Sequence, residues 1–294
     1  MTQLPEAVRD FRSRGRFENV AGLDVFTLDE GDRSLPPLLL LHGFPTSSYD
    51  WHRTLDRLTT HHRVLCLDFP GFGFSEKPTD YSYSLFEQAD VVEVWLARLG
   101  VPSVHVVAHD MGTSVATELV ARRRRKLLTF HLQSLLLMNG SVHIAMAQLT
   151  PSQLLLRSPL GPVFVRASTP GIFRAQIRRI LARPVPDREI VAMWSLLCHR
   201  HGRERMPQII RYLEERRRFH RRWVDGLRDL DVPAHVLWGV EDPVAVPAIG
   251  ERLAADIPGA ALERLAGVGH YPQLEAPEET ADSILRFLRR AENR

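Results

Sequence analysis

Disulfides, membrane spans and metal clusters are what this chain of 294 residues is short of. It has 2 cysteines, Cys66 and Cys198, too few for a disulfide framework in a chain of this length. Cys66 lies in an apolar run over residues 64–67 and reads as a small buried hydrophobe. No apolar stretch approaches the ~20 residues that a membrane helix needs. The opening Met1-Thr2-Gln3-Leu4-Pro5-Glu6 has no basic region leading into an apolar one, so no signal peptide is expected. A cytoplasmic, soluble protein with no membrane partner is the expectation. Lysine is nearly missing: only Lys77 and Lys126 stand among the 38 basic residues, and the rest are arginine, which reads as a lineage bias. Net charge is +3 and the basic residues are spread along the chain, which argues against a nucleic-acid partner. The 13 histidines, His42 and His109 among them, lack the spacing of a metal site, so no metal is expected.

Hydrophobic residues make up 44% of the chain and charged residues 25%, which suits one large domain with a buried core, or one carrying an insertion. Residues 20–28 alternate about Gly22 and read as antiparallel edge strands. Residues 38–41, 64–67, 104–108 and 132–138 read as buried strands. Residues 85–99 form a helical pattern that closes at Gly100, and another helix starts near Gly112. Strands alternating with helices predict an α/β fold with a mostly parallel central sheet flanked by helices. From about residue 140 to 230 the rhythm breaks into helical patterns with scattered prolines. It resumes with a strand at 234–238, a helix near 247–255, a strand at 261–265 and a last helix near 277–290. A core of residues 1–140 and 231–294 with a helical insertion over 141–230 is therefore expected. The insertion carries an arginine run, Arg211, Arg216, Arg217, Arg218, Arg221 and Arg222, interleaved with Tyr212 and Phe219 and followed by Trp223. The commoner reading of such a run is a solvated helix face whose arginine stems cover apolar surface. The sharper one is attraction of an anionic substrate or partner. Arg122, Arg123, Arg124 and Arg125, at a helix end, read as complements to its dipole.

Three segments that follow strands carry the chemistry. Val106-Val107-Ala108-His109-Asp110-Met111-Gly112 runs an apolar strand into a small-residue turn and a helix, the form of a nucleophile elbow. Its tip is an acid, where serine is usual. A carboxylate there is suited to displacing a leaving group from saturated carbon and leaving the substrate esterified to the enzyme. Asp242 follows the strand at 234–238, and His270 follows the strand at 261–265. In a parallel sheet all three ends share one edge. A lone Asp after a strand is most often a helix cap, and a lone His near glycine is usually a loop residue. Together they give nucleophile, acid and histidine in the order of α/β-hydrolase triads. Leu41-His42-Gly43-Phe44-Pro45 follows another strand, and the backbone N–H groups of Phe44 and Met111 would form an oxyanion hole.

The chain resembles α/β-hydrolase-fold enzymes with an Asp nucleophile, the epoxide hydrolases and haloalkane dehalogenases, and more narrowly the mesoderm-specific transcript protein-like hydrolases. The residues that carry the likeness are His42-Gly43-Phe44-Pro45-Thr46-Ser47-Ser48-Tyr49-Asp50-Trp51, Gly71-Phe72-Gly73-Phe74-Ser75-Glu76-Lys77-Pro78, Phe86-Glu87-Gln88-Ala89, His109-Asp110-Met111-Gly112, Arg221-Arg222-Trp223-Val224 and His270-Tyr271-Pro272-Gln273-Leu274-Glu275. The resemblance implies that the insertion is a cap, or lid, over the active site. It implies Asp110 as nucleophile, Asp242 as the acid that orients the histidine, His270 as base, and Phe44 and Met111 as oxyanion donors. It implies no cofactor, a small-molecule substrate with water as partner, and a monomer or homodimer.

The leaving group stays open between two alternatives. Haloalkane dehalogenases usually carry Trp after the nucleophile and Asn after His-Gly, where this chain has Met111 and Phe44, neither with a side-chain donor. Epoxide hydrolases use two lid tyrosines, and here only Tyr212 falls in the insertion, with Trp194 or His199 as substitutes. Ring strain lowers the demand on leaving-group stabilisation, whereas a halide needs donors to offset its desolvation. Epoxide hydrolysis therefore ranks first and haloalkane (or haloacid) dehalogenation second. Tyr212 packing on a helix face and Trp194 in a core are the plainer alternatives. Phe44, Leu154, Leu155, Phe164 and Trp194 are expected to line an apolar pocket. A non-catalytic descendant that binds a small molecule or a protein is the reading from another class, and the intact Asp110, Asp242 and His270 set argues against it.

Overall fold

The apolar runs pair into one eight-stranded sheet in the order β1-β2-β4-β3-β5-β6-β7-β8. A computed structural model provides the structure and describes residues 4–140 and 142–293. Residues 1–3, part of the segment in which a leader was looked for, and residue 141, the expected start of the insertion, lie outside the described residues. The strands are β1 Arg16–Val20, β2 Leu23–Glu30, β3 Pro37–Leu41, β4 Arg63–Leu67, β5 Ser103–His109, β6 His131–Met138, β7 Ala234–Gly239 and β8 Ala261–Leu265. β1 and β2 form the antiparallel hairpin expected about Gly22, whose φ of 84° suits a residue without Cβ. β2 is antiparallel to β4, and from β4 to β8 every pair is parallel.

Residue alternation explains why the central strands read as unbroken apolar runs. Leu39, Leu41, Leu65, Leu67, Val106 and Ala108 join the core on one face of the sheet, while Leu38, Leu40, Val64, Cys66 and Val107 join the core on the other. Successive side chains point to opposite faces, so a strand covered on both sides must be apolar at every position. Helix Leu85–Arg98 starts at Ser84, whose hydroxyl accepts the Phe86 N–H, and is followed by Gly100 at φ 63°. Two helices, Glu6–Arg14 and His52–Thr59, were not foreseen. Each is short, and Glu6–Arg14 is anchored through just two buried side chains, Val8 and Phe11.

Between β6 and β7 the described residues hold no strand, as expected, and run through helices Pro151–Arg157, Gly161–Ala167, Pro170–Ile180, Asp187–Cys198, Gly202–Ile209, Tyr212–Arg218 and His220–Arg228. The last of these lies on helix Met111–Arg124. A Cβ on Gly226 would stand 3.1 Å from the Ala121 Cα. Glu118 accepts hydrogen bonds from Arg222 (2.7 and 2.8 Å) and from the Trp223 indole (2.8 Å). This corrects the reading of the arginine run as one solvated face. Arg211, Arg217, Arg218 and Arg221 are exposed, but Arg222 is a tether and Arg216 is buried. Arg122 likewise does more than complement a dipole. Its guanidinium reaches Asp90 (2.6 Å), Glu118 (3.0 Å) and Glu93, which joins two core helices. Among the described residues no helix is long and apolar enough to cross a membrane, and no group of three or more His, Cys, Asp or Glu side chains is placed to hold a metal.

Candidate active site

β5 ends at His109, and the chain turns so sharply that Asp110 takes φ 48° and ψ −112°. Such a conformation costs a residue with a side chain on the order of 1–3 kcal/mol and persists only where its surroundings impose it. Three glycines leave the room. A Cβ would lie 2.6 Å from the Asp110 Cβ if added to Gly43, 2.7 Å from the His42 carbonyl oxygen if added to Gly112, and 2.3 Å from the Asp110 carbonyl oxygen if added to Gly140. Larger residues at these positions would push the elbow out of shape. Behind it, His42 accepts the Phe69 N–H on Nε2 (3.0 Å), so its Nδ1 carries the proton toward the Gly43 carbonyl (2.9 Å). Burial lowers its pKa to about 3, so the ring stays neutral.

The parallel topology brings the other strand ends to the same edge. Phe44 donates its backbone N–H to Asp110 Oδ1 at 2.8 Å. Met111 is the first residue of helix Met111–Arg124, so its N–H belongs to the open amino end of that helix. His270 turns Nε2 toward Asp110 Oδ2 at 3.6 Å and Nδ1 toward Asp242 Oδ2 at 2.6 Å. Asp242 Oδ1 accepts the backbone N–H groups of Val244 (2.8 Å) and Ala245 (3.0 Å). Burial opposes charge on the His270 ring, but the carboxylates of Asp242, Asp110 and Glu275 outweigh it and raise the pKa to about 9.

Several residues that hold this group went unread in the sequence. Asn139, at the end of β6, donates to Asp242 Oδ2 (2.9 Å) and accepts the Gly239 N–H (2.9 Å), fixing the acid to two strands. His109 accepts from Gln273 on Nδ1 (3.1 Å), which leaves the Nε2 proton to bond the His270 carbonyl (2.7 Å). Glu275 accepts N–H groups from Gly269 and Tyr271 on the histidine loop and from Ala182 and Arg183 in the insertion. The His270 N–H in turn bonds the Ile180 carbonyl at 2.9 Å. The insertion is thus fastened beside His270. The sole advance sign of Glu275 was its place in the His270–Glu275 motif, and Asn139 had none.

A cavity of about 220 Å³ opens between the sheet edge and the insertion, lined by Phe44, His270, Leu156, Phe164, Phe173 and Trp194 among others. Phe44, Phe164 and Trp194 fall where expected. Leu154 and Leu155 do not: Leu154 is 53% exposed, and helix Pro151–Arg157 presents Leu156 to the cavity instead. Trp194 is a wall residue, its ring 5.4 Å from Phe173 and under the Arg203 guanidinium at 5.6 Å. His199 lines neither this cavity nor the smaller one beside Asp110 and packs edge-on against Phe74 at 5.2 Å. Tyr212 is buried with its ring 5.8 Å from Phe44. Burial and the nearby Asp110 carboxylate raise its pKa, so the phenol keeps its proton. A cavity of about 20 Å³ next to Asp110 is lined by Tyr212, Arg216 and Gln153.

The chain is similar to known proteins. The pattern of the alpha/beta hydrolase family matches residues 38–283. The putative hydrolase LipZ of Mycobacterium tuberculosis is 43% identical over 284 residues, which cover 96% of this chain and 98% of the relative. The human mesoderm-specific transcript homolog protein is 34% identical over 299 residues, covering 97% of this chain and 89% of the relative. Among solved structures, the haloalkane dehalogenase DbeA from Bradyrhizobium elkani superposes with a TM-score of 0.83 at 24% identity, covering 95% of this chain and 98% of that one.

Proposed function

The protein belongs to the alpha/beta hydrolase family, and from that premise we propose that it hydrolyses a small apolar substrate through an ester formed on Asp110. The observation that carries this reading is the division of labour between the two oxygens of one carboxylate. Oδ1 holds the Phe44 N–H at 2.8 Å, while Oδ2 faces His270 Nε2 at 3.6 Å. In the first half-reaction Oδ2 bonds to a substrate carbon as the bond from that carbon to its leaving atom breaks. With an epoxide the leaving atom is the ring oxygen. Tyr212, the one tyrosine of the insertion, hydrogen-bonds it as it gains charge, and it ends as a hydroxyl by taking up the proton that the His270 imidazolium gives up.

Esterification removes the negative charge of Asp110, one of the carboxylates that raise the His270 pKa to about 9. The imidazolium then gives up its proton more readily, so His270 becomes a base at the step that needs one. In the second half-reaction it takes a proton from water, and the hydroxide attacks the ester carbonyl carbon. The oxyanion forms on Oδ1, where the Phe44 and Met111 N–H groups receive it. Collapse frees the diol and restores the Asp110 carboxylate and the His270 imidazolium. Asp242 fixes the ring orientation throughout.

A single turnover in ¹⁸O-labelled water tests this. Label in the Asp110 carboxylate, with unlabelled product, is the expected result. Label in the product with none in Asp110 would mean that water attacks the substrate directly, and the ester would have to be given up. Dehalogenation of a haloalkane is the second reading, favoured by the small cavity beside Asp110 that Arg216 lines.

A further inference from the structure

Arg216 is buried to 5% exposure, and its charge has no anionic partner among the described residues. Its neighbours on the same stretch pair conventionally: Arg217 with Glu214 at 3.0 Å and Arg222 with Glu118 at 2.7 Å. No described carboxylate, that of Asp110 included, comes within 4.0 Å of the Arg216 guanidinium. Instead Nε donates to the Ser114 hydroxyl (2.8 Å) and Nη2 to the Asp110 carbonyl (3.2 Å), and the ring of Tyr212 lies 4.7 Å beneath the guanidinium carbon. Nη1 has no hydrogen-bond partner among the described residues. Burying a guanidinium without an anion is costly unless something compensates it.

What faces this cation is the cavity of about 20 Å³ shared with Asp110, Tyr212 and Gln153. That is room for about one water. The Tyr212 hydroxyl, the Gln153 amide and a guanidinium all carry donors. The volume excludes phosphate, sulfate and carboxylates, and the donor set favours a negative charge on one atom.

We propose that Arg216 and Tyr212 form a binding site for one halide-sized monovalent anion, which fills when Asp110 loses its charge. In the resting protein the Asp110 carboxylate supplies the negative charge near Arg216 and repels a second anion. Once that carboxylate is an ester the repulsion ends, and the guanidinium is left to the ion that has just formed. The number of charges around the cavity is then the same before and after bond cleavage. The residues after the nucleophile and after His-Gly, Met111 and Phe44, have no side-chain donor, so the insertion is the part of the chain that supplies one. Occupation of the site rests on geometry alone, whereas its coupling to turnover rests on the ester reading above.

Bromide is the probe. Asp110→Asn keeps the shape of the side chain and removes its charge. Crystals of this variant soaked in bromide should show an anomalous peak touching Arg216 and Tyr212. In solution it should bind bromide about tenfold or more tighter than the unaltered protein, since a like charge at contact range has gone. Adding Arg216→Met should abolish the peak, and adding Tyr212→Phe should weaken binding. The proposal is overturned if saturating bromide leaves the cavity of Asp110→Asn empty, or if both proteins bind bromide equally. It is overturned as well if the peak persists without the guanidinium. Should Arg216→Met not fold, the position of the peak in Asp110→Asn alone decides. A peak there combined with no ¹⁸O in Asp110 would keep the anion site and remove the ester mechanism. Label in Asp110 with no peak would do the reverse.

Discussion

Gly140 stands against the back of Asp110, so that a methyl group on it would lie 2.3 Å from the Asp110 carbonyl oxygen and 2.4 Å from its Cα. Both atoms are backbone, and backbone does not swing aside as a long side chain does. Gly140→Ala should therefore force the elbow to move, costing about 1–3 kcal/mol of stability as overpacking does and most of the activity. Gly171→Ala is the control. Its nearest atom would be the Thr169 hydroxyl at 3.8 Å, and a helical alanine there should be neutral or stabilising. Thermal melts and turnover of the two variants check this, and equal effects would mean that the contact at Gly140 relaxes freely.

The strands and the three site segments were legible for one reason: each is local. A buried parallel strand is apolar at every position, and a turn after it that must take an unusual backbone conformation is marked by small residues. Ala108-His109-Asp110-Met111-Gly112 shows both signals within five residues. Asn139 shows neither, because its role is to bridge Gly239 and Asp242, about a hundred residues further along. Helix Glu6–Arg14 was missed since two buried side chains among exposed polar ones give little periodicity. In the insertion, Leu154, Leu155 and Leu156 look alike in sequence, and only the pitch of a short helix sends Leu156 inward. Arg216 differs from Arg217 and Arg218 by its position on a helix whose buried face also carries Tyr212 and Leu213. Composition alone hid that difference.

In the proposed mechanism His270→Gln removes the base and leaves the nucleophile. The ester should still form and then persist, visible as a mass increase on the peptide containing Asp110. Steady-state turnover should fall by about 10²–10⁴-fold, the usual contribution of a general base. Unchanged turnover would remove His270 from the second half-reaction.

The same histidine predicts how stability depends on pH. Its pKa rises from an ordinary 6.5 to about 9 in the folded protein, so folding favours the protonated ring. The resulting stabilisation is fully present below about pH 6.5 and is lost as pH rises through about 9. A rise of that size corresponds to about 3 kcal/mol. The unfolding free energy of the wild type relative to His270→Gln should thus drop by about that amount between about pH 6 and about pH 10, as read by urea titration. A difference that stays flat with pH would mean that Asp242 and Asp110 do not hold the ring charged.

Met111→Trp looks in sequence like a way to add an indole donor beside Asp110. The structure argues otherwise. Met111 is 1% exposed, packs in the main core and lines neither cavity near Asp110. A tryptophan there overfills a packed site, so the variant should lose about 1–3 kcal/mol of stability and gain no activity on bromoalkanes. A folded variant with raised bromide release would show that the core beside the elbow yields.

Tyr212→Phe separates the two candidate leaving groups. Tyr212 borders the small cavity beside Asp110, and ring opening of an epoxide places negative charge on an oxygen that stays attached to the substrate. Loss of the phenol hydroxyl should slow epoxide opening by about 10²-fold or more. A departing halide is a free ion, and the Arg216 guanidinium remains to receive it, so debromination should fall by no more than about tenfold. The ring itself is retained, and with it the contact to Phe44 at 5.8 Å, so a packing role predicts no loss on either substrate. Rates measured on a matched epoxide and bromoalkane therefore tell the hydroxyl from the ring. A large loss on the bromoalkane alone would reverse the order in which the two reactions are placed.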